Sequence, residues 1–162
     1  MITLESPLGK LYLLASDKGL KKLSYTKLPE AIGNKTIEQQ AISELKEYFS
    51  GKRKEFSVPL DLIGTEFQKK VWEALKRIGY GQVNSYTDVA RNINNPKAVR
   101  AVGNANGNNP VPIIVPCHRV IASGGGLGGY SGGLTIKRKL LKIEKISCYS
   151  MSHVRRIIFT GY

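Results

Sequence analysis

Residues 65–107 read TEFQKKVWEALKRIGYGQVNSYTDVARNINNPKAVRAVGNANG, and this stretch decides the fold. Thr65 is a good N-cap for a helix running to about Ile78, with Val71, Leu75 and Ile78 as its apolar stripe. Gly79-Tyr80-Gly81 breaks that helix. Ser85 then caps a second helix, Tyr86 to Ile93, and Asn94-Asn95-Pro96 makes a turn. Pro96 can open a third helix, Lys97 to Asn106. Two short helices joined by a tight turn are a helix-turn-helix pattern, which also occurs in purely structural bundles.

Upstream, Lys10 to Ala15 and Leu20 to Tyr25 flank the turn-like Ser16-Asp17-Lys18-Gly19 and predict a hairpin. Residues 28–36 read as loop. Ile37 to Phe49 has helical periodicity and stops near Gly51. Phe56 to Leu60 suggests an edge strand, because it contains Pro59. Downstream, Val111 to Ile121 is an apolar run interrupted by Cys117, His118 and Arg119. A glycine-rich loop, Gly124 to Gly133, leads to a last helix, Leu134 to Ile146. Residues 147–162 are basic and mixed, with no assigned element.

The 162 residues carry 25 Lys and Arg against 12 Asp and Glu, a net charge of +13. Residues 1–63 contribute +2 and residues 64–162 contribute +11. A basic half beside a near-neutral half suits a polyanionic partner such as nucleic acid. No apolar run reaches the ~18–20 residues of a membrane span, and the N-terminus lacks signal-peptide character. A soluble, cytoplasmic protein is expected.

Two cysteines, Cys117 and Cys148, are too few for a disulfide scaffold. Residues 1–116 hold neither Cys nor His, so no zinc site and no zinc requirement is expected there. Gly124, Gly126 and Gly129 satisfy G-x-G-x-x-G, but the βαβ setting and the acidic partner of a dinucleotide site are missing. A cysteine protease would need a His far from its nucleophile, and only His153 qualifies. An isolated Cys in an apolar run is usually a small core residue. Cys117 differs because Pro, His and Arg adjoin it, and burying such neighbours needs a reason.

Pro116-Cys117-His118-Arg119-Val120-Ile121 resembles the active-site signature of the O6-alkylguanine-DNA alkyltransferases. Gly64 to Gln68, Val71-Trp72, Tyr80-Gly81, Ser85-Tyr86, Ala98 to Gly103, Asn109-Pro110, Gly128 to Gly133, Lys137, Leu140-Leu141 and Glu144 follow in the family's order and spacing. The resemblance covers about residues 64–146. It implies an α/β protein with a small ribonuclease H-like N-terminal domain, residues 1–63. A mainly helical, winged-helix-like C-terminal domain, residues 64–162, would carry the helix-turn-helix.

The resemblance further implies direct-reversal repair, with a methyl or larger alkyl group moving once from O6-alkylguanine, and from O4-alkylthymine, to Cys117. His118 would take the thiol proton through a water, Glu144 would orient His118, and Tyr86 would protonate the leaving base. Asn109 would support the turn before the nucleophile. Backbone groups near Cys117, Val120 and Ser131 would read the base, and Tyr130 and the glycine loop would wall the pocket. Arg100 would fill the gap left by a flipped nucleotide. Ala101, Gly103 and Asn104 would lie with it on the DNA-facing helix, and Arg119, Gly132 and Lys137 would add substrate or DNA contacts. Small residues on that face matter because a helix is about 10–12 Å across and the minor groove about 6 Å wide.

The implied partner is double-stranded DNA carrying O6-alkylguanine, met by a monomer without cofactor, metal or membrane. The chain departs from the family at Gly79, where Pro is common, and at Asn106 and Gly107, which replace a bulkier and often a basic residue. Non-enzymatic lesion sensors of the same fold lack the acceptor cysteine, so Cys117 favours the enzyme.

Overall fold

A computed structural model describes residues 1–147 and 158–159. The chain divides into two compact units. The first comprises Met1–Ile63 with Pro110–Pro112, and the second the rest.

In the first unit β1 (Ile2–Ser6), β2 (Gly9–Ala15) and β3 (Leu20–Ser24) form an antiparallel meander. Leu11, Leu13 and Ala15 alternate inward, as a half-buried strand requires. Helix α1 (Lys35–Phe49) packs on the sheet. It starts two residues before the expected Ile37 because Asn34 caps it, its side chain accepting from Ile37 N–H at 3.1 Å. The expected strand Phe56 to Leu60 is absent. That segment makes one bridge, Leu20 with Leu60, and is held instead by buried Glu44, which accepts from the Ser57 and Val58 amides at 3.0 and 3.1 Å.

The second unit opens with α2 (Glu66–Lys76). Thr65 and Gln68 form a reciprocal capping box, the Thr65 hydroxyl accepting from Gln68 N–H at 3.1 Å and the Gln68 side chain from Thr65 N–H at 3.0 Å. The helix stops short of Ile78, whose amide bonds Leu75 in a tightened final turn. Ser85 and Asp88 build a second capping box for α3 (Tyr86–Asn92). Helix α4 (Val99–Gly107) begins two residues after the expected Lys97; Pro96 lies in the turn. These helices pack on one another, and buried Trp72 donates from its indole to the Ala105 carbonyl at 2.9 Å, tying α2 to α4.

The short strand β4 (Asn84–Ser85) pairs in parallel with β5 (Val120–Ile121), which places the start of α3 beside the segment after Cys117. Helix α5 (Leu134–Ile143) ends three residues before the expected Ile146. Lys145 takes a left-handed φ of 60°, and β6 (Ile146–Ser147) pairs with β7 (Ile158–Phe159). Cys148 and His153 lie outside the described residues.

Candidate active site

Cys117–Arg119 form a single 3-10 turn, wholly within the buried run that continues to Ile121. Ile113, four residues earlier, has φ 74° although it is β-branched, a strained geometry kept at a segment the surroundings over-determine. Asn109, at the exit of α4, donates to the Val115 carbonyl at 2.8 Å and so pins the loop before the nucleophile.

The Cys117 thiol is buried, which pushes its pKa up to about 11 against the opposing help of Asn109, Lys137 and Tyr130. It rests as a neutral thiol and needs a base. His118, fully buried, is held below the ordinary imidazole range by desolvation, so it rests neutral. Glu144, the C-cap of α5, resists burial because hydrogen bonds and charge from His118 and Arg119 hold it at about 2, so it is ionised.

An ionised carboxylate can only accept. At 2.8 Å from Glu144 Oε1, His118 Nε2 must therefore carry the hydrogen. That fixes Nδ1 as the bare lone pair, and Nδ1 is buried without a partner. The imidazole thus stands as the basic tautomer.

Arg119 and Lys137 require a correction. Both were expected to touch substrate or DNA, and both point inward. Arg119 is 6% exposed; it forks onto both Glu144 oxygens at 2.8–3.2 Å and donates to the Ile78 carbonyl at 2.6 Å. Lys137 has no exposure, and its ammonium caps the carbonyls of Val120, Leu127 and Gly129. A buried charge is tolerated only when so ligated. Their roles are to hold Glu144 and the glycine loop. Of the backbone groups near Val120, its carbonyl accepts from Lys137 at 2.7 Å.

A cavity of about 150 Å³ lies over the nucleophile, lined by Tyr86, Gly103, Asn106, Cys117, Tyr130 and Ser131 among others. Tyr86 heads α3, and burial beside Cys117 raises its phenol pKa, partly offset by the Gly129 backbone. Gly128 is required here: at φ 70°, a Cβ would stand 3.0 Å from Tyr86 Cε2 and 3.1 Å from its Oη. Gly132 does not line the cavity. Arg100, Ala101 and Asn104 are exposed on α4, opposite buried Val102, Ala105 and Asn106. Of the cavity residues, Asn106 was missed from sequence; only its departure from the family's bulkier residue marked it.

The family model described as the 6-O-methylguanine DNA methyltransferase DNA binding domain matches residues 66–146, and that described as its ribonuclease-like domain matches residues 1–62. The chain belongs to the 6-O-methylguanine DNA methyltransferase family. Among curated relatives it is 48% identical to a methylated-DNA--protein-cysteine methyltransferase of Methanosarcina acetivorans, covering 86% of this chain and 94% of the relative. It is 45% identical to the constitutive one of Bacillus subtilis, covering 90% and 94%. Among solved structures it resembles the Mycobacterium tuberculosis OGT in complex with DNA, with TM-score 0.82 and 45% identity over 88% of this chain and 91% of that one. Members of the family thus share the small α/β unit and the helical unit found here. Among the described residues no helix is long and apolar enough to cross a membrane, and no cluster of three or more His, Cys, Asp or Glu could hold a metal.

Proposed function

We propose that this protein repairs DNA by direct reversal, moving an alkyl group from O6-alkylguanine, and from O4-alkylthymine, onto its own Cys117 in a single turnover. The observation that carries the reading is a neutral thiol in a small cavity, next in sequence to a histidine fixed as the basic tautomer. The relatives named for the same transfer support it.

His118 Nδ1 takes the Cys117 proton through a bridging water as sulfur attacks the alkyl carbon. The carbon–O6 bond breaks, and Tyr86 gives its phenol proton to the guanine ring. Residues 64–162 serve as the DNA-binding and catalytic domain, and the protein acts as a monomer in the cytoplasm. Incubated with duplex DNA carrying O6-methylguanine, each molecule gains one methyl on Cys117 and no more, read by intact-mass spectrometry and peptide mapping. Repeated turnover, or methyl on another residue, refutes the proposal.

The exposed face of α4 supplies the DNA contact. Arg100 stands on it with Ala101 and Asn104, and Gly103 and Gly107 keep the face low. Arg100 fills the stack vacated by the flipped guanine. Replacing lost stacking is worth roughly 1–3 kcal/mol, so Arg100→Ala slows duplex repair about tenfold or more. Reaction with free O6-benzylguanine, which needs no flipping, stays near the wild-type rate. Arg100→Lys rescues partly, because lysine lacks the planar group that stacks. Equal losses on both substrates would place Arg100 in pocket shaping instead.

A further inference from the structure

Asn106 lines the cavity and carries a side-chain oxygen that no function so far uses. Asn106 is 4% exposed, lines the cavity over Cys117, and its Oδ1 is buried with no hydrogen-bond partner. Of the other polar side chains there, Tyr86 is bonded by the Gly129 backbone, Tyr130 reaches Cys117, and Ser131 is exposed. Helix geometry explains the isolation. Asn106 follows Gly103 by three residues, so the neighbour on its own face offers no side chain.

A cavity of about 150 Å³ admits water, since one water occupies about 30 Å³ of liquid. Oδ1 itself has no surface open to that water, so the acceptor stands unpaired while the site is empty. A lesion that brings a donor to the Asn106 amide supplies the missing bond, whereas one without a donor leaves the buried acceptor unpaired. We propose that Asn106 is a specificity-determining residue whose Oδ1 accepts a hydrogen bond from a donor on the seated lesion. The inference rests on the alkyl-transfer reading above. Two groups have the required chemistry: a hydroxyl on the alkyl chain, or the exocyclic amine of guanine.

The test compares wild type with Asn106→Leu, which keeps the bulk and removes the acceptor. Single-turnover rates are measured on four duplexes differing only in the lesion. O6-(2-hydroxyethyl)guanine against O6-propylguanine isolates the chain hydroxyl, the two adducts being close in size. O6-methylguanine against O6-methylhypoxanthine isolates the base amine. In wild type one of these pairs favours the donor-bearing lesion, and Asn106→Leu reduces that preference about tenfold. A reduced hydroxyethyl-to-propyl ratio assigns the bond to the adduct, and a reduced guanine-to-hypoxanthine ratio assigns it to the base. Ratios that stay put in both pairs overturn the inference. Wild type that accepts no methyl at all overturns the repair reading, and this inference with it. Thermal melting verifies that Asn106→Leu is folded, and Asn106→Ala supplies the same comparison where it is not.

Discussion

Cys117→Ser takes up no alkyl group from duplex DNA and still binds it. The substitution keeps the small side chain at a buried site in the 3-10 turn, so the fold and the exposed face of α4 are preserved. What changes is the nucleophile. Sulfur is intrinsically the stronger one, and a thiol at about 11 is already a hard proton for a neutral imidazole to take. A serine hydroxyl is far less acidic, so His118 cannot generate an equivalent anion. Mass spectrometry after long incubation with methylated duplex, beside a gel-shift titration, checks both halves. A methyl on the serine variant would mean that another residue is the acceptor.

Glu144→Gln costs both rate and stability. The wild-type carboxylate fixes the His118 tautomer and receives the Arg119 fork. A glutamine amide can present either its oxygen or its nitrogen to Nε2, and the second choice moves the hydrogen to Nδ1 and removes the base. Alkyl transfer falls at least about a hundredfold, the low end of general-base contributions. Arg119 is left buried without its counter-charge, and breaking such a pair costs about 3–5 kcal/mol.

The pH dependence gives a separate sign. Glu144 sits at about 2 when folded, below its ordinary value of 4.5. Its contribution is therefore fully present above about pH 4.5 and disappears as pH falls through about 2, worth about 3 kcal/mol over that window. Urea unfolding at several pH values between 7 and 2 should show the wild type losing that increment. The glutamine variant, which has no carboxyl to protonate, should lack it. Parallel curves would place the carboxylate outside the folded-state electrostatics.

Much of this was legible in the chain because local chemistry decided it. Thr65 and Ser85 announced their helices, and the hairpin around Ser16 to Gly19 followed from turn residues between alternating strands. The ends of helices were less legible. Ile78 fits helical periodicity as a core residue and Ile146 was read as the end of the last helix; both are buried, yet each lies past its helix end. Periodicity reports that a side chain is covered, not which backbone carries it there. The edge strand around Pro59 failed for a related reason: Glu44, thirteen residues before Ser57, supplies the acceptors a neighbouring strand would have supplied.

In the site, Cys117, Tyr86 and Tyr130 were found because the family motif names them, and they meet around one cavity. Arg119 and Lys137 misled because a basic side chain in a basic half reads as a DNA contact. Only three dimensions show their charges turned to a carboxylate and to carbonyls. Asn106 gave no positive sign of its own, since an amide in the last turn of a helix is ordinarily solvated.

The crowding of positive groups around one carboxylate also limits how long His118 can keep a proton. Glu144 is already matched by Arg119, and Lys137 further disfavours a charged imidazole. An imidazolium there would be a surplus cation sealed from solvent. In the proposed reaction, Tyr86 is meanwhile left short of the proton it gave to guanine. The surplus and the deficit cancel when the proton on His118 passes to Tyr86. The thiol hydrogen then ends, in effect, on the guanine, and the repair runs as a closed relay that exchanges no net proton with the solvent.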